Sequence, residues 1–453
     1  MGEKSKKIYF IGIAGKTMAP LAKVFKDMGW EVNGSDQKNV YPPVTDYLEK
    51  NNIFFSRGYR SQNVPKNTDL IVVGRSSLLV DPQNPEYLEA KKTGSQVLSY
   101  PELLQKYLIK ENSIVVAGTY GKTTIAALVS WIMQKAGLNP SYAIGGEPLG
   151  MGNGVKIESS NYSVIEGDET PALEETSPPK FMYYRPKYLL LTATKWDHPE
   201  IYKSENEYLN AFIKLVELLP ANGLLVYNLD SVDKKVVEKA KCKKISYSLD
   251  NNSSDYHNKP FETLLLGKTN LENICGAFAL CKELGISEDV IAKAVGTFKG
   301  IKTRLEFLGE SGGRFIYWDI AQHPEKVKGS LNTLRDRYRK NRIFCVYDPS
   351  STGLKHRESL AWLRGAFDSA DRVVVGKVSF LKSIKKENRV TGHGLVKIIS
   401  ETQPNVYYEP SDKKISERLI QDTGLKDVIV FMSSGGLGFT DLIKKTFNEL
   451  ADL

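Results

Sequence analysis

The chain has 453 residues, of which 41% are hydrophobic and 25% charged, and its formal net charge is +9. These values exclude a disordered or fibrous protein and predict about three domains of ordinary size. The excess lysines are scattered without an aromatic-interleaved stripe, which argues for a solvated basic surface and against nucleic-acid binding.

The opening run Ile8-Tyr9-Phe10-Ile11, the turn Gly12-Ile13-Ala14-Gly15-Lys16-Thr17-Met18 and the segment ending at Gly34-Ser35-Asp36 predict a strand, a glycine turn, a helix and a second strand. Asp36 stands where a ribose-binding acid would stand in a dinucleotide site. The glycines are spaced G-x-x-G rather than G-x-G-x-x-G, so a nucleotide-sugar diphosphate on the helix terminus is the competing reading. Strands are expected at Leu70–Gly74 and Gln96–Ser99 and a helix over Pro101–Tyr107, with a boundary at the polar junction Lys110-Glu111-Asn112.

The next strand, Ile114-Val115-Val116-Ala117, runs into Gly118-Thr119-Tyr120-Gly121-Lys122-Thr123-Thr124. Glycine turns and helix N-termini aim backbone N–H groups at phosphate oxygens, a lysine there reaches the β/γ-phosphates, and the following hydroxyl ligates Mg2+. Val116 occupies the place of the first glycine of the full phosphate-loop pattern. Buried parallel strands are expected at Tyr162–Glu166, Tyr188–Thr192 and Gly223–Tyr227. The acids Glu166, Asp168 and Glu169 and the pair Asp197-His198 follow two of these strands, and at strand C-termini they would share one crevice with the loop. New α/β material begins at Arg314–Tyr317, with further strands at Ile343–Val346, Val373–Val375 and Val428–Phe431.

Cys242, Cys275, Cys281 and Cys345 show no paired spacing, which predicts buried free thiols in a reducing compartment. No apolar run reaches the length of a membrane span, and Ile8–Ile11 reads as a strand rather than a secretory segment. A cytoplasmic protein without membrane insertion is expected.

Over nearly its whole length the sequence resembles the Mur ligases, ATP-dependent enzymes that join an amino acid or peptide to a UDP-N-acetylmuramoyl substrate. The resemblance rests on Gly12, Gly15 and Met18, Gly34-Ser35-Asp36, the Gly118–Thr124 loop, Glu166 with Asp168-Glu169, Asp197-His198, Asn270 and Asn273, Arg304 with Glu306, Asp319 with His323-Pro324, and Ser433-Ser434-Gly435-Gly436. Val40-Tyr41-Pro42-Pro43 is similar to the tripeptide-adding branch; the L-alanine-adding branch is the alternative.

The resemblance implies three α/β domains: a Rossmann-like UDP-sugar domain (1–109), a central P-loop ATP domain (110–301) and a Rossmann-like acceptor domain (302–453). It implies UDP-N-acetylmuramate and an amino acid or peptide as substrates, ATP and Mg2+ as cofactors, an acyl phosphate intermediate, a role in peptidoglycan synthesis or recycling, and a monomer or weak dimer. Lys122, Glu166 and His198 would be catalytic. Gly118, Thr119, Gly121, Lys122, Thr123, Thr124, Asn270, Asn273, Arg304 and Asp319 would bind ATP. Thr123, Glu166 and His198 would hold metal, and Gly12, Gly15, Met18, Ser35, Asp36 and His323 would bind substrate.

Several positions depart from the family pattern. Tyr120 replaces the loop histidine, Thr192-Ala193-Thr194-Lys195 lacks an asparagine and an acid, Thr269 begins the asparagine motif, Trp318 and Gln322 alter the run before His323-Pro324, and Ser350 replaces an arginine. Lys195 either takes a cation's place beside the phosphates or points to solvent. An active ligase with an altered acceptor and a UDP-muramoyl-binding paralogue with weakened catalysis are the two resulting expectations.

Overall fold

A computed structural model describes residues 5–42, 44–198, 200–257, 261–350, 357–378, 386–433 and 438–452. Pro43 and the Ser434-Gly435-Gly436 run lie outside these residues. The chain forms two compact units, Met1–Leu265 with Thr269–Ile301, and Leu266–Lys268 with Lys302–Leu453.

The first unit carries two sheets. Strands β1 (Lys7–Ile11), β2 (Glu31–Asp36), β3 (Phe55–Arg57), β4 (Leu70–Val73) and β5 (Gln96–Ser99) pair in the order β3-β2-β1-β4-β5, all parallel. Strands β6 (Asn112–Ala117), β7 (Ser141–Ala143), β8 (Val155–Lys156), β9 (Tyr162–Gly167), β10 (Tyr188–Leu191), β11 (Leu224–Asn228) and β12 (Lys243–Tyr247) pair in the order β12-β11-β10-β6-β9-β7-β8. Only β7 and β8 run antiparallel. β6, β9 and β10 are apolar with almost no alternation because helices cover both faces. The Lys122–Lys135 helix shows the same logic: Ile125, Leu128, Val129, Ile132 and Met133 are all buried against sheet and neighbouring helix, each worth about 1.5–3 kcal/mol of burial. One apolar cluster runs from Phe10, Phe25 and Leu104 to Phe181, Tyr184 and Phe212, so the two sheets share a core.

The second unit holds β13 (Glu306–Ser311), β14 (Arg314–Asp319), β15 (Ile343–Tyr347), β16 (Arg372–Val375), β17 (Val406–Tyr408) and β18 (Val428–Met432), ordered β13-β14-β18-β15-β16-β17. The sequence reading started this sheet at Arg314, whereas an antiparallel edge strand, β13, precedes it. Glu306–Ser311 is mostly half-exposed and is bulged between Phe307 and Gly309, so it carries no apolar run that periodicity could detect. The strands β3, β8, β12 and β17 are likewise partly exposed, and β7, though buried, is only 3 residues long, so local pattern marks none of them. The α/β class with parallel-dominated sheets matches the expectation.

Candidate active site

The loop after β6 is held open by two glycines. Gly118 has φ +128° and Gly121 φ +81°, and a Cβ on Gly118 would lie 2.8 Å from both the N and O of Ala193. A Cβ on Gly121 would meet Asn273 Oδ1 at 2.5 Å. The loop is bonded to the end of β10: Thr119 N–H donates to Ala193 O at 3.0 Å, Thr119 Oγ1 to Lys195 O at 2.6 Å, and Thr192 Oγ1 to the Tyr120 carbonyl. Thr194 Oγ1 accepts from Asp233 N–H at 2.8 Å. The threonines that replace the family pattern thus brace loop backbone, and Ala193 is fully buried. Lys195 is exposed, and it serves the loop through its carbonyl.

Lys122, the first residue of the helix, bends back over the loop. Its Nζ donates to Gly118 O at 2.5 Å and to Glu169 at 2.9 and 3.1 Å. Glu169 is 1% exposed, and its carboxylate also lies 3.6 Å from His198 Nε2 and accepts from Tyr208 OH at 3.5 Å. Its carbonyl accepts from Tyr202 OH. Glu169 is therefore the hub that brings Lys122 and His198 together, a role the sequence did not reveal; the only signal was an acid three residues past Glu166. His198 adopts φ +57°, a sparsely populated conformation for histidine, and its Nδ1 is 2.9 Å from Glu200.

Thr123 Oγ1 donates to Glu166 Oε1 at 2.9 Å, and Glu166 Oε2 accepts from Gly145 N–H at 2.7 Å. This hydroxyl and carboxylate form a two-oxygen set at the phosphate loop. Among the described residues no group of three or more His, Cys, Asp or Glu is arranged to hold a metal by itself. Mg2+ suits such a sparse set, because it keeps waters and takes its remaining ligands from phosphates. Asp168 serves the scaffold: burial opposes its ionisation, but Lys180 and the Thr170 N–H hold its carboxyl below the usual carboxylate range. Asn273 is buried beside the loop and donates to Asn270 Oδ1 at 3.3 Å.

In the first sheet, Gly12 and Ile13 donate their N–H groups to Ser35 O at 2.9 and 3.0 Å. Asp36 accepts from Ala14 N–H and Gln37 N–H, both at 2.7 Å, and burial raises its pKa. The Ser35 hydroxyl is committed to Glu86, a fully buried carboxylate that also takes bonds from Tyr9, Arg60 N–H and Asn63. Met18 is buried beneath Gly15 and Gly74.

In the second unit, the ends of β14, β15 and β18 lie together. Asp319 is buried, which raises its pKa, and it accepts from Ser330 Oγ and from Ala321 N–H at 3.0 Å. Arg304 is exposed and flanked by Thr303 (φ +60°) and Leu305 (φ +47°). Trp318 Nε1 donates to Ser433 O at 3.0 Å, and Gln322 Nε2 to Ser350 Oγ at 2.6 Å. His323 caps the Pro324–Arg337 helix and lies 6.4 Å from the Trp362 ring.

A lysine-bearing glycine loop at the C-terminal edge of a parallel sheet, with acids on the neighbouring strands, defines a nucleotide-dependent α/β enzyme. Three family models match in chain order: Mur ligase family, catalytic domain over 7–111, Mur ligase middle domain over 116–281, and Mur ligase, glutamate ligase domain over 303–435. The chain belongs to the Mur ligase family of ATP-dependent ligases. It is 25% identical to the UDP-N-acetylmuramate–L-alanyl-gamma-D-glutamyl-meso-2,6-diaminoheptandioate ligase of Haemophilus influenzae, covering 96% of this chain and 97% of that one. It is 27% identical to the UDP-N-acetylmuramate–L-alanine ligase of Carboxydothermus hydrogenoformans, covering 96% and 95%. The crystal structure of a murein peptide ligase from Psychrobacter arcticus superposes with a TM-score of 0.70 over 99% of both chains at 22% identity, which establishes the shared fold.

Proposed function

We propose that this protein joins a peptide of the tripeptide class, or an amino acid, to UDP-N-acetylmuramate with ATP, activating the muramoyl carboxylate as an acyl phosphate. The observation that carries the reading is the pairing of Lys122 with buried Glu169 beside the Thr123–Glu166 set. ATP supplies the phosphoryl group, and Mg2+ would neutralise its charge.

Acyl-phosphate formation needs charge stabilisation and positioning more than a covalent nucleophile. Gly118 and Gly121 let loop N–H groups approach phosphate without a Cβ in the way, and Lys122 supplies the cation for the transferring group. Thr123 and Glu166 would hold Mg2+ through oxygen. His198, oriented by Glu169 and Glu200, is assigned to a second metal or its bound water. Asn273 lies against Gly121 and bonds Asn270, and both would read adenine on the strength of the family likeness. Arg304 and Asp319 keep their nucleotide roles on the strength of the family likeness, as His323 keeps its substrate role. The domains of this reading are 1–109, 110–301 and 302–453. Among the described residues no helix is long and apolar enough to cross a membrane, which accords with cytoplasmic substrates.

The test is phosphate release from ATP with UDP-N-acetylmuramate and a panel of L-alanine, the meso-diaminopimelate tripeptide and other amines. Turnover with the tripeptide supports the proposal. Turnover with L-alanine alone moves the chain to the alanine-adding reaction, and tight UDP-N-acetylmuramate binding without turnover on any amine identifies a binding paralogue.

A further inference from the structure

Arg75 has no part in the site described above. It follows Gly74 at the C-terminal end of β4, and β1 and β4 are the adjacent strands at which the strand order of the first sheet reverses. Ligands of open parallel sheets enter beyond the strand ends at such a reversal. The two loops meet there: Gly74 N–H donates to Ile11 O at 2.8 Å, and a Cβ on Gly12 would come within 3.6 Å of Ser77 Cβ and 3.7 Å of Ser76 Oγ.

The Arg75 guanidinium is not satisfied by the protein. Its Nε is buried without a hydrogen-bond partner, and among the described residues no carbonyl or carboxylate accepts from it. Guanidinium does not deprotonate in proteins, and a buried charged donor left unpaired is costly. Arg75 as a whole is half-exposed, so its outer nitrogens stay open to an anion from outside. The adjacent glycine turn needs a cation for a related reason: Asp36 already occupies Ala14 N–H at 2.7 Å, placing a carboxylate next to the amides that would meet phosphate.

We propose that Arg75 grips the diphosphate of the nucleotide sugar, offsetting Asp36 at the Gly12–Gly15 turn. This rests on the UDP-sugar reading above and deepens it by naming the residue that supplies the charge. The planar fork of arginine suits two phosphate oxygens at once, which lysine does not reproduce.

Titration calorimetry on the full chain provides the test, with uridine, UDP, UDP-N-acetylglucosamine and UDP-N-acetylmuramate as probes against Arg75→Ala and Arg75→Lys. Arg75→Ala is expected to weaken UDP and both UDP-sugars by a similar factor of about tenfold or more, leaving uridine and ATP unchanged. Arg75→Lys should recover only part of the loss. Because the Arg75 side chain makes no hydrogen bond to the described residues, the unfolding midpoint should move by no more than about 2 °C, which separates lost contact from lost fold. Unchanged UDP affinity in Arg75→Ala overturns the inference while leaving the UDP-sugar reading intact. A loss confined to UDP-N-acetylmuramate also overturns it, since the contact would then be to the muramoyl carboxylate. A wild-type chain that binds neither UDP nor its sugars refutes the underlying reading instead.

Discussion

Glu169 shows what a single buried carboxylate does in this site. It sets the position of Lys122, to which it is ion-paired, and lies against His198. Replacing it by glutamine keeps the size and removes the charge, leaving Lys122 without its counterion in a mostly buried position. Glu169→Gln is expected to lower kcat by about tenfold or more while changing the ATP KM much less, because a correctly aimed lysine matters most where charge develops. Lys122→Ala, by contrast, should weaken ATP binding as well as abolish turnover. Steady-state kinetics with both variants distinguish the two roles, and equal effects on KM and kcat would assign Glu169 to nucleotide binding alone. The lysine loop, Glu166 and His198 were legible as chemistry because residue type and spacing after strands carry that information. The hub was not, because a carboxylate 47 residues from its lysine in sequence meets it only through the fold.

At the scale of elements, the β6 loop is built so tightly against the end of β10 that a methyl group has no place. Gly118→Ala would impose a strained φ and a collision with Ala193 backbone, and it is expected to cost more than about 1 kcal/mol of stability together with most ATP affinity. Denaturant unfolding and nucleotide titration would measure both, and a neutral result would mean that the loop relaxes. The turn after β9 provides a pH-dependent contact. Asp168 has a folded pKa below its unfolded value of 3.8, so the contribution of its pairing with Lys180 is complete above that value and is lost as pH falls through the depressed folded pKa. Lys180→Met should therefore reduce stability at pH 7 and erase part of its decline in acid, as followed by thermal unfolding between pH 7 and pH 2. A parallel offset of the two curves throughout that range would show that the pair does not titrate with folding. The central strands of all three sheets were readable as continuous apolar runs. The edge strands β3, β8, β12, β13 and β17 were not, because partial exposure mixes their composition.

For the whole molecule, the open choice is the acceptor. In the second unit, Ser350 stands where the family pattern leads one to expect an arginine, and its hydroxyl accepts from the Gln322 amide at 2.6 Å, so this position itself offers a hydroxyl instead of a cation. Ser350→Arg is expected to raise the ratio of tripeptide to L-alanine kcat/KM by about tenfold, the worth of one charge-assisted contact to a carboxylate. An unchanged ratio would mean that the acceptor carboxylate is read elsewhere.

The sequence by itself determined the α/β class, the strand–glycine turn–helix passage at Gly118–Thr124 and the family, because strand burial and glycine turns are written in short, local patterns. Only the tertiary structure decided how those pieces are used. It turned Lys122 onto Glu169, set Thr192 to bracing the glycine loop and Thr194 to holding the Asp233 N–H, committed Ser35 to Glu86, and left Arg75 Nε without a partner among the described residues. Such outcomes depend on which side chains are brought within about 3 Å of one another by strand order and close packing. That neighbourhood joins positions dozens of residues apart, and local pattern does not specify it.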